Sequence, residues 1–197
     1  MSVMEIVKLD RRHILVALVQ DRPGVLNRIA SMLRRRNFNI ESIAVGHIEQ
    51  PGLSRMTIVV EGDDASVEQV RKQLDKVIEV IRIADITGES PVAREMAMVK
   101  VKATPSTRSE IIQIVDIFRA NIVDVAPDSL ILVVTGTSDK VDTLIELLRG
   151  FGIREMSRTG TIALPRGGPG PLTIEENKPL RRVVEQATPE EENLPDW

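Results

Sequence analysis

The chain has 197 residues, 42% hydrophobic and 28% charged, with a formal net charge of -3. That is the make-up of a soluble globular protein with room for one large or two small cores, and it demands no polyanionic partner. It contains no cysteine, which removes disulfide, thiolate and cysteine-metal chemistry together. With only three phenylalanines, one tryptophan and no tyrosine, it can scarcely stack on nucleic-acid bases.

Residues 1–10 lack the apolar core of a signal peptide, and no apolar run approaches about 18 residues. A cytoplasmic setting with no membrane contact is therefore expected. The alternation Ile14, Val16, Leu18 predicts a first strand over about residues 13–19. Asp21-Arg22-Pro23-Gly24-Val25-Leu26 then reads as a tight turn into a helix facing inward through Leu26, Ile29, Ala30 and Leu33. Pro23 at the first helical position forfeits no hydrogen bond, and Gly24 has no side chain to block a ligand. Unpaired amides and the partial positive charge of the helix start can take a small anion such as a carboxylate. A plain capped turn needs the same two residues for geometry alone. The helix should end near Asn37, with Arg34, Arg35 and Arg36 complementing the negative end of its dipole.

A second strand opens at Asn39-Ile40-Glu41-Ser42-Ile43 and pairs, across Gln50-Pro51-Gly52-Leu53, with a third over residues 55–60. Asp63 and Asp64 precede Val67, Val70, Leu74, Val77 and Ile78, which make one apolar helical face. A strand over residues 80–85 completes a βαββαβ unit. After Gly88-Glu89-Ser90-Pro91 the same order returns. It comprises a strand at 96–101, a helix at 109–118 with Ile111, Ile114, Val115 and Phe118 inward, and strands at 122–125 and 130–134. A helix from Ser138 follows with Val141, Leu144, Ile145 and Leu148 inward, ending at Gly150 or Gly152, and a last strand lies within 153–164.

The expected fold is α+β: two ferredoxin-like βαββαβ domains, each a four-stranded antiparallel sheet with two helices on one face. The other face of each sheet is left uncovered. In the first unit Val45, Ile58 and Val60 are apolar enough there to predict pairing with a second copy, hence a homodimer. From Pro165 a flexible Gly/Pro-rich linker leads into a tail, and residues 165–197 together carry 4 basic and 7 acidic side chains. Within the tail only Leu180, Val183 and Val184 offer a docking stripe.

No nucleophile beside a base, metal cluster or cofactor loop appears, so no catalysis by this chain alone is expected. His13 and His47 have no paired Asp or Cys motif, and Gly136-Thr137-Ser138-Asp139-Lys140 lacks the glycine spacing of a phosphate loop. What remains is the Pro23-Gly24 turn, read as lying near the start of the second strand, where Asn39 offers a donor and an acceptor. An α-amino acid fits those groups. Its carboxylate would meet the helix amides, its ammonium Asp21 or the Asn39 carbonyl, and an aliphatic side chain Val25, Leu26 or Ile40.

Residues 13–85, with the Asp21–Leu26 turn, resemble an ACT domain, a ferredoxin-like module that binds amino acids and regulates metabolic enzymes. Asn37-Phe38-Asn39-Ile40-Glu41-Ser42-Ile43 and Leu53-Ser54-Arg55-Met56-Thr57-Ile58 are similar to paired signatures of the acetolactate synthase (acetohydroxyacid synthase) small regulatory subunits. Arg94-Glu95-Met96, Val99-Lys100-Val101, Ile117-Phe118-Arg119-Ala120 and Ser157-Arg158-Thr159-Gly160 resemble the C-terminal domain of that family. The resemblance covers about residues 11–166. It implies an ACT domain at 11–88 for amino-acid binding and dimerisation, an ACT-like domain at 93–164, and a linker and acidic tail at 165–197 without order.

The resemblance further implies a regulatory subunit with no catalysis of its own. Such a subunit pairs with the catalytic (large) subunit, activates it, and confers feedback inhibition by valine in branched-chain amino-acid biosynthesis. Thiamine diphosphate, Mg2+ and FAD would belong to that catalytic partner, with no cofactor in this chain. Carried over by position, the valine site takes Asp21, Gly24, Val25 and Leu26 from one protomer and Asn39 and Ile40 from its neighbour. Many members carry Asn at the position of Asp21; a carboxylate there can hold the ligand ammonium but repels its carboxylate. Two other readings share the element order. One is a stand-alone ACT-type sensor acting on another enzyme; the other is an RNA-recognition module, which the missing sheet aromatics disfavour.

Overall fold

The first strand, β1 (Arg11–Gln20), lies between β3 (Leu53–Gly62) and β4 (Val80–Asp85), and β2 (Ile40–His47) pairs with β3 at the sheet edge. All pairings are antiparallel, in the order β2-β3-β1-β4. This computed structural model describes residues 11–35, 38–168, 170 and 172. The expectations for Arg36, for Asn37 and for the tail beyond residue 172, including the Leu180, Val183 and Val184 stripe, lie outside those residues. Helices α1 (Val25–Arg35) and α2 (Asp64–Leu74) cover one sheet face. There Leu15, Ala17 and Val19 of β1 and Met56, Ile58 and Val60 of β3 pack against Val25, Ile29 and Leu33 and against Val67, Val70 and Leu74. Burying each such aliphatic side chain contributes roughly 1.5–3 kcal/mol.

Both helices depart from expectation at one end. Gly24 has φ +86°, outside the helical region, so α1 starts at Val25 and its inward face is Val25, Ile29 and Leu33, while Leu26 is 48% exposed. Helix α2 is capped by Asp63, which accepts a hydrogen bond from the Ser66 amide at 2.7 Å. It stops at Leu74, so the helical phase is lost before Ile78, which is exposed.

The second unit repeats the plan with β5 (Val92–Lys102), α3 (Arg108–Ile117), β6 (Asn121–Ala126), β7 (Ser129–Gly136), α4 (Ser138–Arg149) and β8 (Ile153–Arg158), in the sheet order β6-β7-β5-β8. Val141, Leu144, Ile145 and Leu148 all face inward from α4. The expected single last strand is two. Gly160, at φ +77°, turns the chain between β8 and β9 (Ile162–Leu164), and β9 pairs with Val92–Arg94 of the long β5.

That break closes much of the surface expected to be open in the first unit. Val16 and Leu18 of β1, with Leu53, form a buried cluster with Ile86, Ala163 of β9 and Leu172. Ile58 and Val60 lie on the helix-covered side instead, because period-two alternation sends Val16 and Leu18 to the other. Val45, on the edge strand, stays exposed. On the second sheet, Met96 and Met98 are 37% and 44% exposed on the face away from the buried Ala97 and Val99.

The segment after β4 is tied back to β1. The Thr87 hydroxyl accepts from the Ile14 amide at 2.9 Å, and Asp85 Oδ1 accepts from the Thr87 amide at 2.9 Å. The buried His13 places Nδ1 3.0 Å from Asp85 Oδ2 and Nε2 3.5 Å from Asp64 Oδ1. His13 therefore does have carboxylate partners, one of them 72 residues away in sequence.

Candidate functional site

The turn after β1 is held at one end of the sheet. The Gln20 amide donates to the Glu79 carbonyl and the Asp21 amide to the Gly52 carbonyl, each at 2.8 Å. The Val25 amide reaches the Arg22 carbonyl at 3.4 Å, and the Arg28 amide bonds the Gly24 carbonyl at 3.0 Å, which opens α1. The amides of the first helical turn have no acceptor within the helix and carry the positive end of its dipole. Gly24 is exposed, and a Cβ there would meet nothing within 4 Å. Glycine is thus required by the left-handed backbone, and the space over the helix start is open.

Around this point the structure gathers Asp21, Gly24, Val25 and Leu26. Val25 is turned into the core, and Leu26 is the apolar side chain left at the surface. The Asp21 carboxylate is 3.2 Å from His47 Nδ1 at the end of β2. Arg28 of α1 pairs with Glu79, whose Oε2 is buried without a hydrogen-bond partner among the described residues. Neither His47 nor Glu79 is signalled by sequence spacing, since each reaches the turn through strand register.

Asn39 and Ile40 are not brought to the turn within one chain. Ile40 is opposite Val60, and Val60 is opposite His13. Seven residues of β1 separate that position from Gln20, roughly 23 Å of strand. The turn accordingly sits beside the end of β2, not its start. At the far end Asn39 Nδ2 donates to Glu61 Oε2 at 3.5 Å, and Ile40 packs partly on the core. The six expected residues lie in two groups at opposite ends of the sheet, Asp21, Gly24, Val25 and Leu26 at one and Asn39 and Ile40 at the other.

No group of three or more His, Cys, Asp or Glu side chains among the described residues is placed to hold a metal ion. No described helix is long and apolar enough to cross a membrane.

Two family models match the two units. Residues 15–82 match the acetohydroxyacid synthase small subunit-like ACT domain, and residues 94–167 match the small subunit of acetolactate synthase. The chain belongs to the acetolactate synthase small-subunit family. Within that family it is 54% identical over 156 residues to an Archaeoglobus fulgidus protein named "probable acetolactate synthase small subunit", covering 79% of this chain and 98% of that one. It is 51% identical over 158 residues to the Bacillus subtilis acetolactate synthase small subunit, covering 79% and 91% respectively. The crystal structure of the small subunit from Thermotoga maritima superposes with a TM-score of 0.75 at 42% identity, over 81% of this chain and 99% of that one. The family membership and the paired ferredoxin-like units agree with the sequence reading.

Proposed function

We propose that this chain is the non-catalytic regulatory subunit of an acetolactate synthase. It pairs with the catalytic large subunit in the cytoplasm, raises its activity, and lowers that activity again when valine binds. Supporting this reading is the left-handed turn at Gly24, open above the start of α1, in a chain of the small-subunit family. The valine carboxylate meets the first helical amides, its ammonium meets Asp21, and its isopropyl group rests on Leu26. Two copies meeting along their β2 edges, in antiparallel sense, place Asn39 and Ile40 of one beside Asp21, Gly24, Val25 and Leu26 of the other.

In this reading residues 11–88 dimerise and bind the amino acid, residues 93–164 contact the catalytic subunit, and residues 165–197 are a tail. Thiamine diphosphate, Mg2+ and FAD are held by the catalytic partner. Inhibition then follows from differential binding, because valine favours a dimer geometry that activates the partner less well. The test adds the purified chain to the large subunit and assays acetolactate formation with and without valine. Activity should rise on addition and fall with valine, and Gly24→Asp should keep the rise and lose the fall. An unchanged rate in every mixture would overturn the reading. Co-purification with a different enzyme would point to a sensor for that enzyme instead.

A further inference from the structure

On the face of the first sheet away from α1 and α2, a cleft of about 400 Å³ opens between β2, β3 and the β5–β9 pair of the second unit. That size suits a small organic molecule. Its lining is largely aliphatic, with Ile48, Val92, Ile162 and Leu164 among it, and includes two arginines, Arg55 and Arg94.

Arg55 is the unusual member. Its Nη2 donates to the Ala163 carbonyl at 3.1 Å, while its Nε is buried with no hydrogen-bond partner among the described residues. Burial disfavours the charged form of this side chain, and Glu49 restores only part of that charge stabilisation. The guanidinium is thus a partly desolvated positive charge at the wall of the cleft, which an anion placed in the cleft would stabilise. Arg94, on β5, brings a second positive charge to the same space. None of the residues lining the cleft is Asp or Glu, and the nearby Glu49 is already engaged electrostatically with Arg55, so the lining favours a carboxylate over an ammonium group. The guest implied is therefore not the zwitterion assigned to the Gly24 turn.

We propose that this cleft binds a short branched aliphatic carboxylate lacking an ammonium group, its carboxylate on Arg55 and Arg94 and its alkyl body between Ile48, Val92 and Ile162. The site is separate from the Gly24 turn, although His47 lines the cleft and also pairs with Asp21. A test must therefore tell the two sites apart.

Isothermal titration of the full chain with 3-methylbutanoate, which is valine without its amino group, provides that test. Wild type should bind one molecule per chain. Arg55→Met should weaken binding by at least about tenfold, as expected for removal of a charge-assisted hydrogen bond. Ile162→Trp, made at an exposed wall position, should weaken it as much by filling the cleft with both arginines intact. Both variants should keep the thermal unfolding midpoint of the free protein and its valine heat, and Gly24→Asp should keep the 3-methylbutanoate heat. If Arg55→Met fails to fold, Ile162→Trp decides. Absence of saturable heat in wild type, unchanged binding in both cleft variants, or competition between valine and 3-methylbutanoate for one site would each overturn the proposal. Loss of valine binding alone would count against the effector turn and leave the cleft standing.

Discussion

At Gly24 backbone and ligand requirements can be separated, because φ is +86° while the space where a Cβ would stand is empty. Gly24→Ala should cost about 1–2 kcal/mol through left-handed strain alone, read from urea unfolding, and should still allow valine to inhibit. Gly24→Asp carries the same strain and adds a negative charge at the helix start proposed to take the valine carboxylate, so it should abolish the valine heat in calorimetry. The His13 cluster gives a second contrast. Asp85→Ala leaves the buried His13 and the Thr87 amide without their carboxylate and should cost about 1–3 kcal/mol. Asp64, whose side chain is 81% exposed, stands 3.5 Å away, and its removal should shift stability by no more than about 0.5 kcal/mol. Asp21, Gly24, Val25 and Leu26 are legible as a group because a strand, a Pro-Gly turn and a helix are consecutive. His47 is not, since only the register of β2 against β3 carries it to Asp21. The same register moves Asn39 to the opposite end of the sheet.

Helix α4 shows how far periodicity alone reaches: all four residues expected to face inward do so, because three turns of helix carry the apolar spacing without interruption. Helix α1 keeps Ile29 and Leu33 inward as expected but begins at Val25 and not at Pro23, because Gly24 is left-handed, which no pattern of apolar residues encodes. The split between β8 and β9 is a tertiary effect, arising because an eleven-residue β5 has backbone left to pair beyond β8. Gly160 permits it. A Cβ there would stand 3.3 Å from the Ile43 carbonyl oxygen, so the turn is also a close approach between the two units. On the exposed face of α2, Glu68 pairs with Arg71, and the hydrogen bond from Arg71 pulls the carboxyl down from 4.5 to about 2. A depressed carboxylate stabilises the fold above its unfolded value and loses that contribution as pH falls through its folded value. The difference in unfolding free energy between wild type and Glu68→Gln should therefore be level at neutral pH and shrink between pH 4.5 and about 2. It should be small throughout, since the pair is solvent-screened. A difference that instead grew toward pH 2 would contradict the pairing.

The two units are joined by apolar packing as well as by chain. Val16, Leu18 and Leu53 from the first unit, Ile86 from the connection, Ala163 from β9 of the second unit and Leu172 from beyond it bury one another in a cluster that belongs to neither helix-covered core. Polar contacts flank it: Arg55 to the Ala163 carbonyl at 3.1 Å, and the Thr161 amide to the Ser42 hydroxyl at 3.3 Å. A seam of this kind predicts that the units unfold together, giving one calorimetric transition whose measured enthalpy equals the van't Hoff value. Leu172→Ala should cost about 2–5 kcal/mol and, because it empties the seam and neither core, should part that transition into two. Leu144→Ala, in the core of the second unit, should cost a similar amount without loosening the seam itself. The pair also bears on regulation. If valine at the Gly24 turn acts on a catalytic partner held by the second unit, its effect has to cross this seam. Leu172→Ala should then bind valine with nearly unchanged heat yet inhibit the reconstituted enzyme less completely. Full inhibition by a variant whose two units melt separately would show that the signal travels through the dimer of first units, without the intramolecular seam.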